Sequence, residues 1–345
     1  MKKLHLTVAA ILFAFTLFSC SNSDLPTNSD AAEKNPADPI RKNVSVPANP
    51  VIAYFSVETV NKVSGVTCLN VINEDGTNKT RLFISNLSSS RQYSRPIWSP
   101  SGTSSICYGE KGSSGTNALY RCDINVINNI PVAINKLKLW DGGTTYTSYD
   151  RAWNPIASAN EIAISVCKTS TNVNTIQLVN ATSGGTPVTI YTAPAVHTIN
   201  IITYSPDGNY LAVVKRGADG NKIMILDHTN GQVVKEIDVS QFIGIITMDW
   251  QRSPNSSVIE FEVLTTATNH SIYNIDINSN NPPVLIMNST ADNRQGSFSP
   301  DDSKLLYWNQ YKSGSTWVSG LRIYNFSTNT STPILTSGEW ASWKR

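Results

Sequence analysis

Short apolar runs separated by polar turns recur along the chain from residue 51 onward. Examples are residues 161–166 (EIAISV), 210–214 (YLAVV), 222–226 (KIMIL) and 304–308 (KLLYW). Runs of this length, rich in β-branched and aromatic residues and bounded by Asn, Asp and Gly, predict β-hairpins rather than helices. Because the runs are apolar at nearly every position, we expect both faces of each sheet to be covered.

An aromatic residue followed by a turn marks the start of each group of runs. The spacings between successive members are 55, 51, 46, 48 and 42 residues, and the members are Trp98, Trp153, Tyr204, Trp250, Phe298 and Trp340. A repeat of this length fits a four-stranded propeller blade. The sequence therefore predicts an all-β fold, a six-bladed β-propeller of four-stranded antiparallel blades.

The two ends of the repeat region complement each other. Residues 340–345 form a first strand with nothing after it, whereas residues 51–56, 66–71 and 80–84 form three strands with no first strand before them. Pairing the C-terminal strand with the N-terminal blade would complete the ring and remove two sheet edges that invite aggregation.

The Pro-Asp-Gly turns have a structural explanation. Pro206 sets the backbone angle that a turn needs at its second position, Asp207 caps the turn, and Gly208 accepts a positive φ. We interpret Asp207, Asp301 and Asp302 as turn residues rather than catalytic carboxylates.

The N-terminus has the pattern of a targeting segment. Lys2 and Lys3 precede an apolar stretch from Leu6 to Phe18, which is too short to span a bilayer and fits a signal peptide over residues 1–19. Residues 17–20 (LFSC) resemble a bacterial lipobox, in which Cys20 accepts lipid; the alternative is an ordinary signal peptide that ends near a cysteine. Residues 20–50, rich in Ser, Asn, Asp and Pro, predict a flexible tether before a propeller domain at 51–345.

These motifs resemble the TolB-like β-propeller, a relative of WD-type repeats. The resemblance covers residues 51–345 and is carried by W-S-P-x-G elements at residues 98–102, 204–208 and 298–302, while the elements at Trp153 and Trp250 are less regular. A lipobox joined to a single propeller is similar to cell-envelope lipoproteins of Bacteroidetes-type bacteria. The resemblance implies a location in the bacterial envelope, with the lipid in the outer membrane on its periplasmic or surface face.

Charge excludes one class of partner. The chain has 27 Lys and Arg against 25 Asp and Glu, and the two N-terminal lysines belong to the predicted signal. No basic surplus is left to neutralise phosphates, so we expect no nucleic-acid partner.

Catalytic motifs are missing from the sequence. It has no G-x-S-x-G, H-E-x-x-H, P-loop or C-x-x-C motif, so the sequence predicts a protein without catalysis and without a cofactor. His197, His228 and His270 fall in three different repeat units and are expected to be exposed loop residues rather than metal ligands.

Four cysteines lie in the propeller region. Cys107 and Cys122 fall on consecutive strands of one predicted blade, at similar distances from the turn between them. A cross-strand disulfide is one alternative and two free thiols are the other. Cys68 and Cys167 belong to non-adjacent blades and are expected to be buried thiols.

A binding face is predicted where the innermost strands begin. Three arginines precede the repeat aromatic by two to four residues, and nearby loops carry aromatic side chains; the set comprises Arg95, Arg151, Arg294, Tyr93, Tyr146, Tyr149, His197, Trp308, Tyr311 and Trp317. Arginines with aromatics suit a carboxylate-bearing peptide or a glycan. The alternative is that Asp150 and Asp292 neutralise the arginines and that the aromatics only pack between loops.

The sequence thus predicts a lipid-anchored, non-catalytic scaffold of the envelope that binds a protein partner, or a peptide or glycan ligand, at the channel mouth. The alternative is a glycan-binding protein or a polysaccharide-active lyase or hydrolase built on a propeller. Converging His, Arg, Tyr and acidic groups would favour the enzyme, whereas an apolar patch would favour a protein partner.

Overall fold

The computed structural model describes residues 49–60, 63–84, 95–100, 104–111, 117–265, 270–287, 292–313 and 316–344. These residues form 24 β-strands, arranged in six antiparallel sheets of four, and one short 3-10 helix at Ala157–Ala159. The predicted six-bladed, all-β propeller is confirmed. The signal peptide, Cys20 and most of the tether lie outside the described residues and stay predictions.

The first three blades follow the chain from its N-terminal end. Blade 1 contains β24 (Glu339–Trp343), β1 (Ile52–Val60), β2 (Val63–Ile72) and β3 (Thr80–Ile84). Blade 2 contains β4 (Ile97–Trp98), β5 (Ser105–Lys111), β6 (Asn117–Ile127) and β7 (Ile130–Gly143). Blade 3 contains β8 (Tyr146–Trp153), β9 (Glu161–Lys168), β10 (Val173–Asn180) and β11 (Val188–Thr192).

The other three blades repeat the same order from the inner strand outward. Blade 4 contains β12 (Thr198–Tyr204), β13 (Tyr210–Gly217), β14 (Gly220–Asp227) and β15 (Val233–Asp238). Blade 5 contains β16 (Gly244–Trp250), β17 (Val258–Leu264), β18 (His270–Asp276) and β19 (Val284–Met287). Blade 6 contains β20 (Asp292–Phe298), β21 (Lys304–Ser313), β22 (Thr316–Asn325) and β23 (Thr330–Leu335).

The C-terminal strand closes the ring. Strand β24 pairs antiparallel with β1, and each inner strand contacts the inner strand of the next blade, from β24 through β4, β8, β12, β16 and β20 back to β24. The pairing places Trp343 opposite Ile52, just as Trp153 lies opposite Ile162 in blade 3. The sixth repeat aromatic is therefore Trp343. The prediction of Trp340 was wrong, because Trp340 lies three residues before the position that is equivalent to Trp153.

The repeat aromatics join neighbouring blades. Each is buried in a hydrophobic cluster shared with the preceding blade; Trp343, for example, packs with Trp308 of blade 6 and Ile52 of blade 1. The same arrangement holds for Trp98, Trp153, Tyr204, Trp250 and Phe298. Since truncating one buried large aromatic to alanine typically costs about 3–5 kcal/mol, we expect these residues to be a main source of ring stability.

The turns after the repeat aromatics have the predicted structural role. The backbone N–H of Asn209 donates to Asp207 Oδ1 at 3.1 Å, and Gly208 has φ +74°. Asp302 has a further role, because its carboxylate accepts backbone N–H groups of Arg252 (2.6 Å) and Ser253 (2.7 Å) from the preceding blade. We call this side of the ring the turn face.

The cysteines of blade 2 do not form a disulfide. Cys107 pairs in register with Arg121, and Cys122 pairs with Ile106, so the two thiols point to opposite faces of the sheet. Cys107 packs towards blade 3 and Cys122 towards blade 1. All four described cysteines are free and buried. Within the described ranges, no helix has the length and apolarity to cross a membrane.

Candidate functional site

The central channel is the first candidate site, and the inner strands build it. The residue just before the repeat aromatic on each inner strand lines one small cavity of about 20 Å³; these residues are Ile97, Ala152, Thr203, Asp249, Ser297 and Ser342. A cavity of this size has room for one or two water-sized occupants. An oligosaccharide or peptide does not fit.

Side chains bind the inner strands to one another around this cavity. Asp249 Oδ2 accepts the backbone N–H of Phe298 at 3.1 Å, and Asp150 Oδ2 accepts that of Ile202 at 3.2 Å. Gln295 continues the pattern, since its Oε1 accepts the backbone N–H of Trp340 at 2.7 Å. The polar groups of the channel thus hold adjacent blades in register.

Arg95 reaches across the channel instead of pointing out of its mouth. Its Nη1 donates to the carbonyl of Gly296 at 3.0 Å and its Nη2 to that of Met248 at 3.3 Å, so a residue of blade 2 bonds the inner strands of blades 5 and 6. Arg151 is also buried, and its Nη1 donates to the carbonyl of Arg95 at 3.2 Å. Two of the three predicted binding arginines, Arg95 and Arg151, are therefore parts of the channel wall.

Carboxyl groups surround these arginines. Burial raises the pKa of Asp150, although the guanidinium groups of Arg95 and Arg151 lower it in part. Burial likewise lowers the pKa of Arg151. At the turn-face end, Arg252 Nη2 donates to Asp249 Oδ2 at 2.6 Å. Asp150 thus interacts electrostatically with both Arg95 and Arg151.

A buried glutamate–histidine pair in blade 5 contacts the inner strand of blade 6. Glu262 accepts hydrogen bonds from Thr247 Oγ1 (3.0 Å) and the backbone N–H of Gln295 (2.8 Å), and it contacts His270 Nδ1 at 2.5 Å. His270 is buried, so the prediction of an exposed loop histidine was wrong there. Glu262 pairs in register with Ile272, so His270 lies diagonally across β17 and β18 from Glu262, and the sequence alone did not reveal this contact.

Glu260 lies two residues away on the same strand and has a different environment. It is fully buried, and neither carboxyl oxygen has a hydrogen-bond partner among the described residues. Its carboxyl group lies against Gly296, where any side chain would collide with it. Burial raises the pKa of Glu260 well above its usual value, and the nearby Asp249 carboxylate raises it further.

Replacing Glu260 with glutamine should change how stability depends on pH. When a carboxyl group has a higher pKa in the folded state than in the unfolded state, its contribution to stability is fully present below the unfolded-state pKa. That contribution is lost as the pH rises through the folded-state pKa. Because glutamine stays neutral, we expect the unfolding free energy of Glu260→Gln to exceed that of the wild type by a margin that grows with pH. Urea denaturation at a series of pH values measures it, with Glu236→Gln as a surface control. A margin that is constant with pH would contradict the assignment.

Two of the other predicted residues, Arg294 and Trp308, are in contact. The Arg294 guanidinium lies 4.9 Å from the ring centre of Trp308, within cation–π distance, and Tyr149 is partly exposed. Tyr93 and the side chains of Tyr311, Trp317 and Asp292 lie outside the described residues. A binding role for the predicted face stays a prediction.

The opposite side of the ring, which we call the crossover face, carries a feature that the sequence did not reveal. The connection from β11 to β12 exposes Val196 by 89%, and the connection from β15 to β16 exposes Ile243 by 66%. Val196 has φ +63°, in a turn closed by the N–H of His197 donating to the carbonyl of Pro194 at 3.2 Å. A β-branched residue is strained in this left-handed conformation, which glycine normally supplies.

The β13–β14 hairpin connects these two loops. Asp219 Oδ1 lies 3.1 Å from His197 Nε2, and Asn221 Nδ2 donates to the carbonyl of Ile243 at 3.4 Å. We call residues 194–197, 217–221 and 242–243 the blade 4 rim. Its charges compensate one another, because Asp219 bridges Lys215 (3.5 Å) and Lys222 (3.1 Å), and Glu236 contacts the same two lysines at 3.5 and 3.4 Å. The side chains that remain outward and unmatched are therefore aliphatic.

Neither the channel nor the blade 4 rim contains a metal site, since in the described part of the chain no group of three His, Cys, Asp or Glu residues is arranged to hold an ion.

Comparison with known proteins supports the fold. No protein-family model and no curated protein sequence matches the chain. TolB from Acinetobacter baumannii superposes with a TM-score of 0.61 at 16% identity, over 85% of this chain and 66% of that one. A candidate TolB from Agrobacterium tumefaciens gives 0.58 at 16% identity, over 83% and 91% of the two chains.

Enzymes share the architecture too. Oligogalacturonate lyase from Vibrio parahaemolyticus has a TM-score of 0.51 at 10% identity, over 82% of this chain and 78% of the lyase. The fold alone therefore does not distinguish an enzyme from a protein without catalytic activity, and a function has to be argued from the site itself. By architecture, blade count and closure, the chain has the fold of the TolB-like six-bladed β-propellers.

Proposed function

We propose that this propeller is a non-catalytic binding module of the bacterial envelope and that it binds a protein partner through the blade 4 rim. The observation that carries the proposal is Val196, which combines nearly full exposure with a strained backbone. Both features cost stability, and such costs are typically retained where a residue has a function.

The chemistry of the rim favours a protein surface over a glycan. Val196 and Ile243 offer aliphatic contacts, whereas glycan recognition relies on aromatic platforms and free polar groups. The charges beneath them form a closed network in which Asp219 and Glu236 pair with Lys215 and Lys222, and His197 contacts Asp219. A partner with a matching apolar patch would bury both side chains without leaving a charge unpaired.

The channel supports the same proposal. Its arginines, which would be the natural groups for a carboxylate-bearing substrate, already bind backbone carbonyls of neighbouring blades. Recruiting Arg95 for a ligand would break two bonds that connect opposite sides of the ring. Recognition at the rim has no such cost.

Photo-cross-linking in intact cells tests the proposal. A photoreactive amino acid placed at Val196 or at Ile243 should give a discrete protein adduct, because both positions would lie inside the interface. Val188 is the matched control, since it is 62% exposed but lies at the start of β11 on the turn face. Adducts that are the same at Val188, or adducts that contain glycan and no protein, would refute the proposal.

The envelope location gives a further expected result. If Cys20 carries lipid, several acyl chains at about 0.8 kcal/mol per buried CH₂ hold the protein permanently on a membrane. We expect Cys20→Ala to move the protein from the membrane fraction to the soluble fraction of lysed cells. Membrane fractionation measures this directly, and an unchanged distribution would rule out the anchor.

A further inference from the structure

Blade 2 has an arm that extends beyond the ring on the turn face. The pairing of β5 with β6 ends at Ser105 and Asp123, whereas β6 and β7 continue to pair at Ile124–Ala133, Asn125–Val132, Val126–Pro131 and Ile127–Ile130. In the described parts of the other five blades, the third and fourth strands have no pair past the point where the second strand begins. We call residues 124–133 the blade 2 arm, which extends about 14 Å past β5.

The arm is uncharged and largely apolar. Its ten residues are INVINNIPVA, of which seven are aliphatic or proline and three are asparagine. Val126 and Ile127, next to the turn, point to opposite faces of the ribbon and are 42% and 48% exposed. An exposed apolar tip of this kind is typical of a contact with an apolar partner.

The arm is a preformed element. Asn128 and Asn129 have φ +50° and +62°, the conformation that a two-residue hairpin turn requires. At the base of the arm, Ile124 and Ala133 pack into the hydrophobic cluster that blades 1 and 2 share around Trp98. A partner of the arm would therefore not have to order it, so the conformational entropy cost of the contact would be small.

The chain enters the propeller on the same face, in the neighbouring blade. The backbone N–H of Asn49 donates to Asn73 Oδ1 at 2.9 Å, and that of Val51 donates to the carbonyl of Ile72 at 3.2 Å, both at the turn-face end of blade 1. Asn49 lies 29 residues after Cys20. The tether predicted from the sequence would have a root-mean-square reach of about 30 Å. A lipid on Cys20 would therefore keep the turn face, from which the arm projects, close to a membrane.

We infer that the blade 2 arm is a membrane contact, which inserts Val126 and Ile127 into the boundary between lipid headgroups and acyl chains. The inference rests on the lipid anchor at Cys20 proposed above. The anchor makes the contact intramolecular, so that the weak affinity of two aliphatic side chains for lipid is enough to populate it. The turn face would then lie against the membrane, and the blade 4 rim on the crossover face would point towards a protein partner.

The charges at the base of the arm are compensated. The ion pairs next to it are Lys136–Glu110 (3.3 Å), Lys138–Asp141 (2.9 Å) and Arg121–Asp123 (2.7 Å). Because these pairs carry no net charge and the arm itself is uncharged, we expect the contact to depend little on anionic lipid or on salt.

Fluorescence of a labelled arm on vesicles tests the inference. The chain from residue 20 onward, with Cys20→Ser and a histidine tag before it, attaches to vesicles that contain nickel-chelating lipid, whatever the fate of Cys20 in cells. Nitrobenzoxadiazole is placed on Ile127→Cys, since the four described cysteines are buried. We expect its emission to shift to the blue on attachment and to be quenched by spin labels in the acyl chains. The same label on Ile243→Cys, on the crossover face, should not respond.

A charge at the tip provides the matched comparison. Val126→Asp in the labelled protein should abolish the shift, because a carboxylate opposes insertion into lipid, and the fold should be unaffected since Val126 is exposed. Val188→Asp, which lies on the turn face but outside the arm, should retain the shift. Emission at Ile127→Cys equal to that in solution, or a shift that occurs only with added phosphatidylglycerol, would overturn the inference.

Photo-cross-linking distinguishes lipid from protein as the partner of the arm. A photoreactive amino acid at Ile127 of the full chain in intact cells should give a lipid adduct. An adduct with another protein, or with a second copy of this chain, would overturn the inference. Fractionation of Cys20→Ala tests the anchor separately, and adducts at Val196 test the blade 4 rim, so failure of the arm is distinguishable from failure of the proposed function.

Discussion

Deleting residues 339–345 should lower the free energy of unfolding by at least about 5 kcal/mol, which is the whole stability of a domain at the low end of the usual range of about 5–15 kcal/mol. The deletion removes the inner strand β24, including Trp343, which is buried between blades 6 and 1. Loss of this aromatic alone would cost about 3–5 kcal/mol. It would also expose the inner edge of β1 and open the ring to solvent.

Circular dichroism with urea or heat measures this effect. Removal of Arg345 alone is the matched control, because it leaves β24 intact and should change the melting temperature little. Trp343→Ala and Trp340→Ala refine the test, since we expect Trp343→Ala to be the more destabilising of the two. A deletion variant that melts within experimental error of the full chain would disprove closure by β24.

The largest expected effect on binding comes from charging the blade 4 rim. Val196→Asp combined with Ile243→Asp would bury two unpaired carboxylates against an apolar partner surface. We expect the affinity for the cross-linked partner to fall at least about 100-fold, which corresponds to about 2.7 kcal/mol. Both residues are exposed in the free propeller, so its melting temperature should stay nearly the same.

Two control variants distinguish the loss of the aliphatic contact at the rim from the relief of backbone strain at Val196. Val188→Asp introduces the same charge at a similarly exposed site on the turn face and should leave the affinity unchanged. Val196→Gly relieves the positive φ, so it should maintain or raise stability while it weakens binding through the lost aliphatic contact. Unchanged affinity in the double aspartate variant would exclude the rim as the interface.

The architecture could be predicted from the sequence because the same residue types recur in each repeat. An aromatic, a Ser-Pro turn and apolar runs recur at blade length, and the unmatched strands at the two ends specify the closure. Registers were harder to predict. Two tryptophans, Trp340 and Trp343, lie three residues apart, and only the pairing of Ile52 with Trp343 shows which is the repeat residue.

Side-chain direction explains the other differences. Cys107 and Cys122 are offset by one position from a direct pair, and an offset of one places them on opposite faces of the sheet. Arg95 was expected at the channel mouth because it precedes a strand, but its long side chain crosses the channel to carbonyls far away in sequence. Strand periodicity contains no information on such contacts.

The rim could not be found from residue types. Val196 lies in a loop sequence, residues 194–197 (PAVH), with no glycine or asparagine to indicate a left-handed residue. Its strain follows from the turn geometry, and the proximity of Ile243 follows from the packing of the β13–β14 hairpin between two loops. These are properties of the folded ring.

Hydrogen–deuterium exchange of the propeller with and without its cross-linked partner tests the central claim most directly. If the blade 4 rim is the interface, binding should slow exchange in residues 194–197, 217–221 and 242–243, while the turn-face residues 154–160 exchange as in the free protein. Protection confined to the turn face, or protection absent from the rim, would contradict the account.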